Sequence, residues 1–174
     1  MTSRSSASKR AKEPIGERFE PAFRLACDSL ARRARSEAEI RERLGRAGVA
    51  SATIDQVVAR LRELRYLDDP AFARQRAGSL ARRGFGPRAV ELRLARAGLA
   101  GELAQHGIRE AFGADEARLA REALARRLGD RPSDGLDVKE RARLFRWLAG
   151  RGFSPGAIRA AFEPGRPSDD PLEE

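Results

Sequence analysis

The chain has 174 residues and a formal net charge of +9, and aromatic residues make up only 6% of it. The helix formers Ala, Leu, Arg and Glu dominate, while β-branched and aromatic residues are too sparse for a sheet protein. The single cysteine excludes a disulfide and a Cys-Xaa-Xaa-Cys metal site, and fits a reducing cytoplasm. The basic balance favours an acidic partner, either nucleic acid or an acidic protein surface.

In chain order, we predict two tails around three helical repeats. Residues 1–20 lack hydrophobic periodicity and are predicted to form a disordered basic tail. The repeats are predicted at residues 21–68, 69–113 and 114–162, each with three helices. Residues 163–174 are rich in proline and acidic residues and are predicted to form a disordered acidic tail.

An internal repeat supports this division. The tetrapeptide Leu-Ala-Arg-Arg occurs three times, at residues 30–33, 80–83 and 124–127. Each copy is followed by a Leu and, four positions later, by a Gly and a hydrophobic residue. These Gly-hydrophobe pairs are Gly48-Val49, Gly98-Leu99 and Gly152-Phe153. A Gly at this place predicts a helix that ends in a left-handed residue, which Gly adopts without steric cost.

Helix starts follow the same plan. Ser36 with Glu39 predicts a capping box, in which a side chain satisfies a backbone donor of the first turn. A small or polar residue followed by proline predicts three further helix starts. These pairs are Asp69-Pro70, Gly86-Pro87 and Ser154-Pro155.

The predicted fold class is therefore all-α, with three tandem three-helix repeats in an elongated, curved solenoid-like arrangement. One such repeat is too small to bury a large core, so neighbouring repeats should share apolar surface. A compact globule of nine helices is the alternative shape.

Arginine pairs near equivalent helix ends are the main candidates for partner binding. The candidate residues are Arg32, Arg33, Arg35, Arg82, Arg83 and Arg88. One interpretation is a positive stripe that contacts an acidic protein surface or DNA phosphates. The alternative is structural, because cations at a helix C-terminus complement the negative end of its dipole.

Two segments have unusual composition. In Tyr66-Leu67-Asp68-Asp69, we expect Tyr66 and Leu67 to pack at a joint between repeats and Asp69 to cap the next helix. In residues 82–88, two glycines and a proline surround Phe85, so the turn could expose backbone donors to a phosphate or carboxylate. The alternative is an ordinary interhelical loop with Phe85 anchored in the core.

No motif in the chain indicates catalysis. His106 is the only histidine, and the sequence contains no phosphate-binding loop, zinc spacing or dinucleotide loop. We therefore expect no enzyme activity, no cofactor and no metal ion. Trp147 lies in a basic segment, where it could be a core residue or a stacking platform for bases.

The ordered set of motifs resembles the RecX family of regulators. Residues 30–39 resemble the opening motif of that family, and Tyr66-Leu67-Asp68-Asp69 with Phe72 and Ala73 resembles its most diagnostic stretch. The central motif is similar to Gly84, Gly86, Pro87 and Arg88 followed by Leu94, Gly98 and Leu99. Arg151-Gly152-Phe153 with Ile158 resembles the closing motif. The resemblance covers residues 22–162, although the third repeat matches more loosely.

The resemblance implies three tandem three-helix repeats and binding to RecA, often in the groove of the RecA filament on DNA. It also implies inhibition of the recombinase and coprotease activities of RecA. The partners we expect are RecA and the RecA–DNA filament, with DNA itself as a further partner and no membrane. We expect a cytoplasmic monomer. The alternative function is direct DNA binding that affects recombination by competition for the strand.

Overall fold

The computed structural model describes residues 18–113, 115–133 and 135–163 and forms nine helices there, without a strand. The all-α prediction is thus confirmed. The helices are α1 (Phe19–Arg32), α2 (Glu37–Arg46), α3 (Ser51–Glu63), α4 (Asp69–Arg82), α5 (Pro87–Arg96), α6 (Gly101–Phe112), α7 (Glu116–Leu128), α8 (Val138–Gly150) and α9 (Pro155–Phe162). Residues 1–17 and 164–174, most of the two predicted tails, lie outside the described residues. Helix α1 begins at Phe19, so the last two residues of the predicted N-terminal tail are helical.

The first compact unit ends at Asp68 and contains α1 to α3. Its core is formed by apolar residues spaced three or four apart along each helix, which places them on one face. These core residues include Ala22, Ala26, Ile40, Leu44, Ile54, Val57, Val58 and Leu61. Phe19 extends this core, because its ring stacks on that of Phe23 with 5.5 Å between centroids.

The second compact unit begins at Asp69 and contains α4 to α9. Helix α4 packs against α6, and α7 packs against α9. One continuous core contains residues from α4 to α6 and from α7 to α9. It includes Leu80, Val90, Leu94, Leu124, Leu148, Phe153 and Ile158. The second and third repeats therefore share apolar surface, as expected of units too small to bury a core alone.

The Gly-hydrophobe pairs form the same turn in all three repeats. Gly48, Gly98 and Gly152 have φ of 76°, 79° and 89°, which confirms the predicted left-handed helix ends. In each turn the next residue donates its backbone N–H to the Leu carbonyl five positions earlier, at distances of 3.1, 2.9 and 3.3 Å. This pattern satisfies a carbonyl that a helix end otherwise leaves without a partner.

Most predicted helix starts are confirmed. Ser36 Oγ accepts the N–H of Glu39 at 3.2 Å, and Ser154 Oγ accepts the N–H of Ala157 at 3.2 Å. Helix α5 begins at Pro87, after the cap residue Gly86. Asp69 was predicted to cap α4, but it is the first residue of that helix, so α4 begins one residue earlier than predicted.

Tyr66 is 59% exposed and does not pack into the core of the first unit, and its packing at a joint between repeats stays a prediction. Leu67 is buried in the core of the first unit. The difference arises from a tight turn after α3, in which Arg65 adopts a left-handed φ of 57°. Tyr66 and Leu67 both donate their N–H groups to the Leu61 carbonyl, at 2.8 and 3.3 Å. Only one of the two side chains reaches the core from this turn.

Candidate arginine-rich binding site

The segment of residues 82–88 joins the second repeat to the third. The N–H of Gly86 donates to the Arg151 carbonyl at 2.8 Å, and the N–H of Arg88 donates to the Gly152 carbonyl at 3.2 Å. A Cβ on Gly86 would lie 2.5 Å from the Gly152 carbonyl carbon and oxygen. Glycine is therefore required here because two backbones approach closely.

This joint contradicts the interpretation that the turn exposes backbone donors to a partner. The N–H groups of Arg83, Gly84 and Phe85 donate to carbonyls at the end of α4, and those of Gly86 and Arg88 donate to the third repeat. Since Pro87 has no N–H, the turn has no backbone donor left to offer. Any binding by this segment must therefore use its side chains.

Two arginines of the third repeat satisfy carbonyls at the C-terminal end of α4. Arg126 Nη1 donates to the Arg82 carbonyl at 2.5 Å. Arg151 Nη1 donates to the Arg83 carbonyl at 2.9 Å and to the Gly84 carbonyl at 3.3 Å. The C-terminal end of a helix carries partial negative charge, so guanidinium groups near the end of α4 are stabilising. These contacts bring arginines from distant parts of the sequence together.

Aromatic rings contact Arg151 and two further arginines near it, Arg93 and Arg127. The Arg93 guanidinium lies 4.0 Å from the centroid of the half-buried Phe85 ring, and Arg151 lies 5.1 Å from it. Arg151 also lies 4.5 Å from the Trp147 ring centroid, and Arg127 lies 5.7 Å from that centroid. Such contacts contribute about 0.5–2 kcal/mol each, depending on how far they are desolvated.

The result is a concave site that we call the arginine pocket. It has a volume of about 260 Å³, and its lining contains no acidic residue. It is lined by Arg83, Gly84, Ala123, Arg126, Arg127, Trp147 and Arg151. Burial lowers the pKa of Arg151, and the neighbouring Arg126, Arg127, Arg83 and Arg93 lower it further. The pocket therefore concentrates positive charge that its own lining does not neutralise, and this favours an anionic ligand.

Of the predicted binding residues of the second repeat, one lines the arginine pocket and two lie outside it. Arg83 lines the arginine pocket and lies 5.9 Å from the Phe85 ring centroid. Arg82 and Arg88 are exposed on either side of the turn, and neither lines the pocket. The sequence did not indicate that Arg93, Trp147 and Arg151 lie near Arg83, although Trp147 and the Arg151-Gly152-Phe153 motif were each noted separately.

The predicted arginines of the first repeat belong to the first unit, where Arg33 and Arg35 have hydrogen-bond partners. Arg33 makes two hydrogen bonds to the Glu39 carboxylate, at 2.9 and 3.0 Å, and these raise the pKa of Arg33. Arg35 Nε donates to the Ser29 carbonyl at 3.3 Å. Burial, followed by the charge of Arg33, lowers the pKa of Arg35. Arg32, the last residue of α1, is exposed.

The described part of the chain contains no group of three or more His, Cys, Asp or Glu side chains that could hold a metal ion. The same residues include no helix long and apolar enough to span a bilayer. The exposed His106 lies beside Glu110, with 3.1 Å between Nε2 and Oε1.

Comparison with known proteins gives two family matches. The profile described as "RecX, first three-helix domain" matches residues 22–61, and the profile described as "RecX, third three-helix domain" matches residues 114–162. The Regulatory protein RecX of Chromohalobacter salexigens is 36% identical over 132 residues, which cover 76% of this chain and 84% of that protein. The Regulatory protein RecX of Syntrophotalea carbinolica is 33% identical over 157 residues, which cover 88% and 99%.

Solved structures with the same fold include a RecX from Lactobacillus salivarius, with a TM-score of 0.69 and 19% identity. That match covers 82% of this chain and 93% of the solved one. A second structure, of a regulatory protein RecX, has a TM-score of 0.66 and 20% identity and covers 81% of this chain and 70% of its own. At these identities the two structures support the fold alone.

Proposed function

This chain belongs to the RecX family of regulatory proteins, and we propose that it binds RecA and the RecA filament on DNA and thereby inhibits recombinase and coprotease activity. The observation that carries the proposal is the arginine pocket, which gathers four arginines and a tryptophan without an acidic residue. A RecA–DNA filament offers both acidic protein surface and DNA phosphates as partners for such a site. Guanidinium groups suit both, because their planar fork of donors matches carboxylate and phosphate oxygens.

The proposed role is regulatory, with no catalytic step, cofactor or metal ion. We also propose that the protein acts as a cytoplasmic monomer. The single cysteine, Cys27, fits a reducing compartment, and it packs beside the core of the first unit, where burial raises its pKa. A thiol in that environment is a poor nucleophile, since the reactive form is the thiolate.

Two arginines of the pocket can be tested without disturbing the joint. Arg126 and Arg151 donate to backbone carbonyls, so their replacement would also weaken the fold. Within the described part of the chain, the side chains of Arg83 and Arg127 make no hydrogen bond, and both residues are exposed. Arg83→Glu with Arg127→Glu should therefore weaken binding to RecA filaments at least tenfold in a fluorescence anisotropy titration.

The matched control is Arg76→Glu with Arg96→Glu. Both residues are exposed in the second unit and lie outside the pocket lining, and the change in net charge is the same. If binding depends on the pocket, this control should keep nearly all of the affinity. Equal losses for the two double variants would mean that overall charge, and not the pocket, drives binding.

Arg88 is also proposed to contact the partner through its side chain. It is exposed in the first turn of α5, where a cation opposes the helix dipole, so Arg88→Ala should leave thermal stability unchanged or slightly higher. The same variant should inhibit RecA poorly. Inhibition equal to that of the wild type across a range of salt concentrations would remove Arg88 from the site.

The second candidate function is direct binding to DNA, and Trp147 is the observation that favours it. Its ring is half-buried in the pocket lining among arginines, an arrangement that suits a base stacked beside its phosphates. Binding to single-stranded DNA alone should weaken steeply with salt, with a logarithmic slope of about −0.7 for each neutralised phosphate. Affinity for bare DNA that equals affinity for the filament at matched salt would favour this second function.

A further inference from the structure

A second concave site lies between α8 and α9 and shares no lining residue with the arginine pocket. We call it the α8–α9 groove; its volume is about 560 Å³. It is lined by Arg141, Ala142, Phe145, Arg146, Arg159, Phe162 and Glu163. Phe145 and Phe162 are half-buried, and the Arg141 guanidinium lies 5.5 Å from the Phe162 ring centroid. The groove thus combines aromatic surface with three cations.

The chain itself supplies a segment of matching chemistry at the edge of this groove. Glu163 lines the groove and is the last described residue, so residues 164–174 start beside it. Their sequence, Pro-Gly-Arg-Pro-Ser-Asp-Asp-Pro-Leu-Glu-Glu, contains four acidic residues, one arginine and a single large apolar side chain, Leu172. Acidic residues therefore flank the apolar one, as arginines flank the aromatic rings of the groove.

The length and attachment of this segment favour binding within the same chain. Leu172 follows Glu163 by nine positions, and an extended chain covers about 3.3 Å per residue, so the whole groove is within its reach. A short tether also gives a local concentration in the millimolar range, which lets weak contacts be populated. Exposed ion pairs are weak individually, so the bound segment should exchange readily and respond to salt.

We propose that residues 164–174 bind in the α8–α9 groove of their own chain. In this arrangement Leu172 lies against Phe145 and Phe162, and the acidic residues pair with the arginines of the groove. The bound segment neutralises positive charge on the third repeat and covers its aromatic surface. An acidic or nucleic-acid partner must then displace the segment before it can use this face, which makes the segment an internal competitor for the groove.

The test is an NMR experiment on the full chain with isotope-labelled Leu methyl groups. At low salt we expect nuclear Overhauser cross-peaks between the Leu172 methyl groups and the ring protons of Phe145 and Phe162. Asp169→Lys with Asp170→Lys should abolish these cross-peaks while the spectrum of the folded core stays unchanged. The control, Glu102→Lys with Asp130→Lys, makes the same change in charge at two exposed positions outside the groove and should keep the cross-peaks.

A further variant, in which the charges of the segment and of the groove are both reversed, tests the proposal even if one variant perturbs the groove. Adding Arg141→Glu and Arg146→Glu to the Asp169→Lys, Asp170→Lys chain should restore the cross-peaks, because both sides of each pair are reversed. Absence of Leu172 cross-peaks in the wild type at low salt would overturn the proposal. So would cross-peaks that appear only between differently labelled chains in a mixed sample, since these would place the segment on a second copy.

Discussion

The replacement Gly86→Ala should open the joint between the second and third repeats. The Cβ that it adds would lie 2.5 Å from the Gly152 carbonyl carbon and oxygen and from the Phe153 nitrogen. These are backbone atoms, which cannot rotate away as a flexible side chain could. The φ of Gly86 is −82°, which alanine adopts freely, so the effect measures the close approach alone.

The expected cost follows from the contacts of the joint. Overpacking a tight contact costs about 1–3 kcal/mol. Separating the backbones also weakens the 2.8 Å bond from Gly86 and the 3.2 Å bond from Arg88, each worth about 0.5–1.5 kcal/mol. The smaller entropy of the unfolded alanine chain offsets about 0.4–1 kcal/mol. We therefore expect a loss of about 2–4 kcal/mol in the free energy of unfolding.

Urea unfolding followed by circular dichroism and by tryptophan emission measures both the cost and its location. Trp147 is the only tryptophan and lies beside Arg151, whose carbonyl accepts the Gly86 N–H. Opening of the joint should therefore shift its emission to longer wavelength. Gly150→Ala is the control, because Gly150 ends α8 with no atom within 4 Å of an added Cβ, and it should be neutral or stabilising. If Gly86→Ala unfolded within about 0.5 kcal/mol of the wild type with unchanged emission, the joint would not be as described.

Three further replacements test local features by the same unfolding assay. Arg65→Gly should stabilise the chain by about 0.5–1 kcal/mol, because Arg65 holds a left-handed φ of 57°; a loss of stability would show that its side chain matters more than its backbone. Ser36→Ala should cost about 1–2 kcal/mol, because it removes the buried hydroxyl that accepts the Glu39 N–H; a cost near zero would exclude Ser36 as an effective cap. Gly98→Ala should cost about 1 kcal/mol, because its φ is 79°, and should leave activity at low temperature intact; loss of activity without loss of stability would contradict a purely structural role.

Local features of the fold could be predicted from the sequence because their physical causes are local. The left-handed turn at Gly98 and the caps at Ser36 and Ser154 each depend on residues within five positions of one another. The repeat of these signals also predicted how many helices form in the described part of the chain. The exposure of Tyr66 could not be predicted, because it depends on which side of the Arg65 turn faces the core.

The arginine pocket could be predicted only in part. Arg83 belongs to a repeated arginine pair, and that repetition drew attention to it in the sequence. Its position beside Arg151 depends on a hydrogen bond between residues 68 positions apart. Periodicity and spacing carry no information about such a contact. For the same reason, the sequence did not show that backbone N–H groups of residues 82–88 donate to the third repeat, since those acceptors lie more than 60 positions away.

The most direct test of the proposed function follows ATP hydrolysis by preformed RecA filaments on single-stranded DNA while this protein is added. We expect the rate to fall progressively, and we expect Arg83→Glu with Arg127→Glu to lose most of this effect while Arg76→Glu with Arg96→Glu retains it. A rate that stays unchanged when the wild-type protein is in large excess over RecA would contradict the account.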